Sequence, residues 1–314
     1  MVAASTIGGM WQTLPGSQCE LGESPFWHPA ERSLYWIDIP GRAVLRTRGE
    51  IGGAVERWAL PEEPGCIAPA RRGGLVIALR SGIHRAKEWG GALQMLAPAD
   101  YDTATMRFND GKCDSLGRFW AGTLNEAKDE ANATLYCLDA RDGRTPLVTR
   151  MANRATTANG LGFSPDGRTA YWADTAAHAV RAWDWDAPSN TLSRERVFRQ
   201  FDTKPEGWTS DSGVPYQGRP DGATIDVGGD YWAAMFEGAQ LLRLDPAGGT
   251  CEAVALPVQC PTMPCFGGDD LRTLFVTSAR KGRPPAEIQR RPASGSVIHA
   301  RVDTPGSPVS FFDD

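Results

Sequence analysis

Six times along the chain a short apolar run is broken by turn residues and then resumed by a pair of aromatic or aliphatic side chains. The copies are SPFWHPAERSLYWIDI (24–39), IAPARRGGLVIALR (67–80), DGKCDSLGRFWAGTL (110–124), GLGFSPDGRTAYWADT (160–175), GATIDVGGDYWAAMF (222–236) and CFGGDDLRTLFVTSA (265–279). Each reads as a hairpin: strand, turn, strand. The third residues of the second strands, Trp36, Ile77, Ala121, Trp172, Ala233 and Val276, are spaced by 41, 44, 51, 61 and 43 residues. Periods in the forties, with about four short strands each, belong to β-propeller blades. Amphipathic helical periodicity is hard to find between them, which disfavours a helical solenoid. Third strands are visible in AVLRTR (43–48), TLYCLD (134–139), AVRAWDWD (179–186) and QLLRLD (240–245). The chain is therefore expected to be all-β, a six-bladed propeller forming one domain over 1–314. The segment SVIHARV (296–302) is expected to pair with the N-terminal segment and close the ring, which removes exposed strand edges.

Composition agrees and narrows the setting. The 314 residues include 35 Gly and 23 Pro, together about 18% of the chain, and 11 Trp. Average usage of Gly plus Pro is about 12%, so turns are over-supplied. A net charge of −5 argues against a nucleic-acid partner or an anionic membrane surface, which require a concentrated basic face. The opening MVAASTIGGMWQTLP has no basic segment followed by a signal-length apolar run, and no stretch approaches membrane-spanning length. Seven cysteines, an odd number in a chain of ordinary size, read most simply as reduced thiols. A cytoplasmic monomer is the expectation. The widest spacing contains TKPEGWTSDSGVPYQGRP (203–220), readable either as a functional loop or as surface decoration.

In a propeller the first strand of each blade lines the central channel. Residues at one offset before the anchors therefore gather at one rim. Glu23 and Asn159 precede their anchors by 13 residues, and Asn109 and Asp221 precede theirs by 12. Blades 2 and 6 carry Pro64-Gly65 and Met263-Pro264 there, leaving an opening. Asn and Asp often start strands simply as turn formers. Four such positions in register, one of them Glu, favour instead a cluster of oxygen ligands for a hard divalent cation. Cys66 and Cys265 each lie 11 before their anchors, which makes them candidates to face the channel, although inert buried thiols are the default. The four histidines fall at unrelated blade positions. No nucleophile elbow, HExxH or CxxC motif is present.

At these residues the chain resembles the gluconolactonase, regucalcin and senescence-marker-protein family of six-bladed propeller lactonases, over about residues 16–302. The matching segments are GESPFWHPAERSLYWIDI (22–39), RFNDGKCDSLGRFWAGTL (107–124), ANGLGFSPDGRTAYWADT (158–175), RPDGATIDVGGDYWAAMF (219–236) and FGGDDLRTLFVTSA (266–279). The resemblance implies Glu23, Asn159 and Asp221 as metal ligands, the same three that the register brings together. It implies Arg107 and Asn109, from the family's RxND motif, as substrate-binding groups, with Glu126 as the acidic residue that follows Gly122-Thr123. It implies one divalent cation, calcium foremost, with zinc, manganese, magnesium or iron also compatible. The expected activity is hydrolysis of a sugar lactone, with Asp221 as general base for the attacking water. A metal-dependent phosphotriesterase or aryl esterase on the same scaffold is the rival enzyme, and a metal-binding propeller without turnover is the non-catalytic rival.

Overall fold

The computed structural model describes residues 7–48 and 52–314; the first six residues of the opening stretch lie outside the described residues. The expected ring is present. Twenty-four strands form six four-stranded antiparallel sheets, and in blades 1 to 5 four successive strands run outward from the axis. The innermost strands are Gly22–His28, Pro64–Pro69, Met106–Cys113, Ala158–Phe163, Arg219–Ile225 and Pro261–Gly267. Blade 6 is completed by the chain's other end: Gln12–Thr13 pairs antiparallel with Ile298–Arg301, through Gln12 opposite His299 and Thr13 opposite Ile298. The six anchor residues all lie in second strands.

The core is itself a ring. Six apolar clusters form, each between two neighbouring blades, so that every sheet is buried on both faces. Trp36, Trp120, Trp172 and Trp232 are fully buried in these seams, which accounts for part of the tryptophan excess. Two of the four are fastened alike: Trp120 Nε1 donates to Asp114 (2.8 Å) and Trp232 Nε1 donates to Asp226 (3.0 Å). Each carboxylate also meets an arginine, Arg118 at 2.6 Å and Arg243 at 3.2 Å. The turn residues before these tryptophans thus serve as buried acceptors.

Three features depart from the sequence expectation. A six-residue helix, Pro285–Arg290, sits between the second and third strands of blade 6; its Pro start was a readable signal. The insertion is shorter than 203–220, because Arg219 and Pro220 already belong to an inner strand. It is also well tethered: Trp208 packs edge-on against Tyr216 at 5.0 Å, Tyr216 meets His178 Nε2 at 2.9 Å, and Ser210 donates to Glu287 at 2.7 Å. Finally, the segment after the last strand crosses one face of the ring. It bridges Asp226 with Gly306 and Ala70 with Phe312, whose ring is fully buried between blades 2 and 3. No helix among the described residues is long and apolar enough to cross a membrane.

Asp114 and Arg118 are both almost wholly buried, so removing the carboxylate leaves a buried guanidinium without its counter-charge, hydrogen-bonded only to Ala187 O at 2.8 Å. Asp114→Ala is expected to cost about 3–5 kcal/mol of stability, read from urea unfolding; a loss below 1 kcal/mol would show that the pair carries little.

Candidate functional site

Every inner strand breaks register with its neighbour, and the breaks coincide with the polar rim. In blade 1 pairing jumps from Glu23 to Phe26, in blade 3 from Phe108 to Gly111, in blade 4 from Asn159 to Gly162 and in blade 5 from Pro220 to Ala223. Such bulges re-aim side chains that a regular ladder would turn into the neighbouring blades. The spacings of 13 and 12 have a structural counterpart here. Glu23 and Asn159 are the last paired residues before their bulges, while Asn109 and Asp221 are the first inside theirs. Left-handed residues follow directly in the first pair, Ser24 (φ 50°) and Gly160 (φ 53°). At Gly160 a Cβ would lie 2.2 Å from the Tyr231 hydroxyl. Ser24 is not glycine, and its hydroxyl accepts Ile67 N–H of the next blade at 2.9 Å.

The four rim residues are buried together. Asn109 Nδ2 donates to Asn159 Oδ1 (2.8 Å) and to Ala158 O (2.9 Å). Asn159 Nδ2 donates to Thr175 Oγ1 (2.7 Å), which donates to Pro220 O (2.6 Å). Arg107 Nη1 holds the other end, donating to Asn109 Oδ1 and to Phe108 O, each at 2.9 Å. This chain runs from blade 3 to blade 5 and turns the Asn159 oxygen away from Thr175. Glu23 and Asp221 make no ion pair with any described lysine or arginine. Burial, with Asp221 and then Asp110 adding repulsion, pushes the Glu23 carboxyl well above its usual range. Burial and the charge of Asp110 push Asp221 up to about 8. Two buried carboxyl groups without an ion pair among the described residues and one oriented amide oxygen form a hard-oxygen donor set that fits a divalent cation. No group of three or more His, Cys, Asp or Glu with metal-binding geometry occurs among the described residues, so the amide is needed as the third ligand.

Other residues enter that the repeat register had not singled out. Asp110 is buried beneath the rim; one oxygen accepts Leu161 N–H at 3.0 Å and the other has no partner. Lys112, two residues on, donates to Ala223 O at 2.8 Å and supplies the positive charge nearest Asp110. Glu126 reaches the same mouth, where Arg80 holds both its oxygens (2.8 and 2.9 Å) and Arg107 Nε lies 4.0 Å away. Cys66 packs in the seam between blades 2 and 3 and Cys265 in that between blades 6 and 1, where it also borders the channel; no described cysteine is disulfide-bonded. A cavity of about 410 Å³ occupies the other half of the channel. Its wall includes Lys112, Met263 and the crossing segment at Ser307–Ser310, and excludes Glu23, Asn159 and Asp221.

Residues 21–280 match the model of the SMP-30/Gluconolactonase/LRE-like region. The chain belongs to that family. A 6-deoxy-6-sulfogluconolactonase of Pseudomonas putida is 40% identical over 292 residues, covering 93% of this chain and 94% of the relative. Regucalcin of Oryctolagus cuniculus is 32% identical over 286 residues, covering 89% and 90%. Among solved structures, a calcium-binding protein, regucalcin, from Agrobacterium tumefaciens superposes with a TM-score of 0.84 at 25% identity, covering 96% of each chain. Within the SMP-30/gluconolactonase family this chain therefore keeps the whole ring.

The raised carboxyl groups have a consequence for stability. A carboxyl with a folded pKa above its unfolded value gains a proton on folding, so its burden is absent below the unfolded pKa and grows up to the folded one. With Asp221 at about 8 against an unfolded value near 4, protein held in chelator is expected to lose stability from pH 5 to pH 8. Excess calcium is expected to raise the unfolding midpoint more at pH 8 than at pH 5. The pH-dependent drop in chelator should shrink in Asp221→Asn; an unchanged drop would remove Asp221 as its source.

Proposed function

We propose that this chain hydrolyses a sugar lactone to its open-chain acid, using a divalent cation held by Glu23, Asn159 and Asp221. The observation that carries this reading is the pair of buried carboxyl groups, neither in an ion pair among the described residues, beside an amide fixed by neighbours on both sides. The lactonase name of the 40% identical relative and the calcium-binding title of the regucalcin structure support it. Calcium is the first candidate, and zinc, manganese, magnesium and iron suit the same donors.

A bound divalent cation supplies positive charge that polarises the lactone carbonyl and stabilises the oxyanion of ester hydrolysis. Asp221, ionised in the presence of that charge, accepts the proton of the attacking water and returns it to the ring oxygen as the acyl–oxygen bond breaks. Arg107 directs one amino group at Phe108 and Asn109, which leaves its second for a substrate hydroxyl. Asn109 positions Asn159 through its amide. Glu126, held by Arg80, offers a fixed acceptor at the mouth. The insertion adds a wall through Trp208 and Tyr216.

With saturating calcium, Asp221→Asn is expected to lose turnover of gluconolactone by at least about 100-fold, within the usual range for general-base removal. Glu23→Gln is expected to act mainly by raising the calcium concentration needed. A pH-drop assay over aldonolactones and an aryl phosphotriester, with chelator as control, separates the readings. Preference for the phosphotriester would replace the lactonase with the rival hydrolase. Tight calcium binding with no turnover of either would leave the non-catalytic propeller.

A further inference from the structure

On its blade 5 side the mouth carries more basic than acidic side chains, although the chain as a whole carries −5. Glu237, almost fully buried at the end of a blade 5 strand, is shared by Lys204 (2.9 Å), Arg219 (3.2 Å) and Arg283 (2.8 Å). Arg283 has a second acid in Glu287 at 2.7 Å. Three cations thus face two carboxylates. Arg219 stands two residues before Asp221 on the same inner strand, and its buried Nε has no partner.

Lys128 adds to this excess from across the mouth. It lies in the loop after the second strand of blade 3, in a left-handed conformation (φ 58°), with its N–H bonded to Asn125 O at 3.1 Å. Asn125 is buried and shapes the loop, accepting Ala127 N–H at 3.0 Å and donating to Asp129 at 2.8 Å. Asp129 is thereby engaged by Asn125, and Glu130 accepts Asn132 Nδ2 at 3.1 Å. The Lys128 ammonium has no ion pair among the described residues, yet it lies within electrostatic reach of Arg219, Asp221, Arg107 and Glu237. Loss of water around it, and then the repulsion of Arg219, hold it below the ordinary lysine range. An exposed cation kept beside other cations at the mouth calls for an anion that arrives with the ligand.

We propose that Lys128 and Arg219 form a subsite for an anionic substituent, a sulfonate or phosphate, carried by the lactone away from its reacting carbonyl. This rests on the lactonase reading and narrows its substrate class. The charge-assisted contact fixes the sugar's far end, while Arg107 and Asn109 lie at the end where the ring opens. The 6-deoxy-6-sulfogluconolactonase name of the Pseudomonas putida relative describes a substrate of this chemistry.

The test compares calcium-loaded wild type, Lys128→Met and Lys128→Arg on gluconolactone and on its 6-sulfo and 6-phospho counterparts. Wild type is expected to favour at least one anionic lactone by about tenfold or more in kcat/KM, and the better of the two identifies the group. In Lys128→Met the anionic-to-neutral ratio is expected to fall about tenfold, chiefly through KM, while Lys128→Arg retains it. The wild-type ratio is expected to shrink in high salt. An unchanged ratio in Lys128→Met overturns the proposal. Should no lactone be turned over, the lactonase reading fails separately, and calorimetric titration with open-chain 6-sulfogluconate, 6-phosphogluconate and gluconate still decides. Tighter binding of either anion at C6, lost in Lys128→Met, supports the subsite; equal binding of all three excludes it.

Discussion

Burying like charges around one axis is the constraint on which the rest of this molecule depends. Glu23, Asp110 and Asp221 come from three different blades, and each is buried where water cannot screen the others. No single sheet could hold that arrangement, because each carboxyl would simply turn outward. The six seams of apolar side chains fix the blades around the axis and leave the inner strands no such freedom. Lys112 below and the amide relay through Asn109 and Asn159 beside them soften the repulsion without cancelling it. The residual demand for positive charge is the physical basis of the proposed cation site.

The bulges translate ring geometry into chemistry. A regular inner strand alternates its side chains between the two neighbouring seams, with only edges towards the axis. One extra residue at each rim rotates Glu23, Asn109, Asn159 and Asp221 inward without disturbing the aromatic ladder behind them. The cost is concentrated at Ser24 and Gly160, and it is met by a bond from the next blade in one case and by the absence of a side chain in the other.

Local repetition made most of this readable in advance. The hairpin copies located the first two strands of all six blades, and 296–302 announced closure, because strand patterning needs only short segments. The rim residues were legible for the same reason, being tied to the repeat by a fixed offset, and they lie buried together. What escaped depends on distant partners. That Glu126 is gripped by Arg80, or that Glu237 gathers Lys204, Arg219 and Arg283, has no periodic trace in the chain. Cys66 and Cys265, which share one offset, both pack into apolar seams, a burial that the offset alone does not reveal. Helix Pro285–Arg290 is too short to show a helical period.

The pairing of Gln12–Thr13 with Ile298–Arg301 also sets an order of events during synthesis. At about 5–20 residues per second, a ribosome needs on the order of 15–60 s to travel from one partner to the other. Throughout that interval blade 1 waits with one seam unfilled, its Trp27 and Trp36 lacking the neighbours that blade 6 will bring. The nascent arc is therefore open to chaperones for most of its making. Glu23 emerges early and Asp221 late, so their enforced proximity is deferred until blades 1 to 4 have been made.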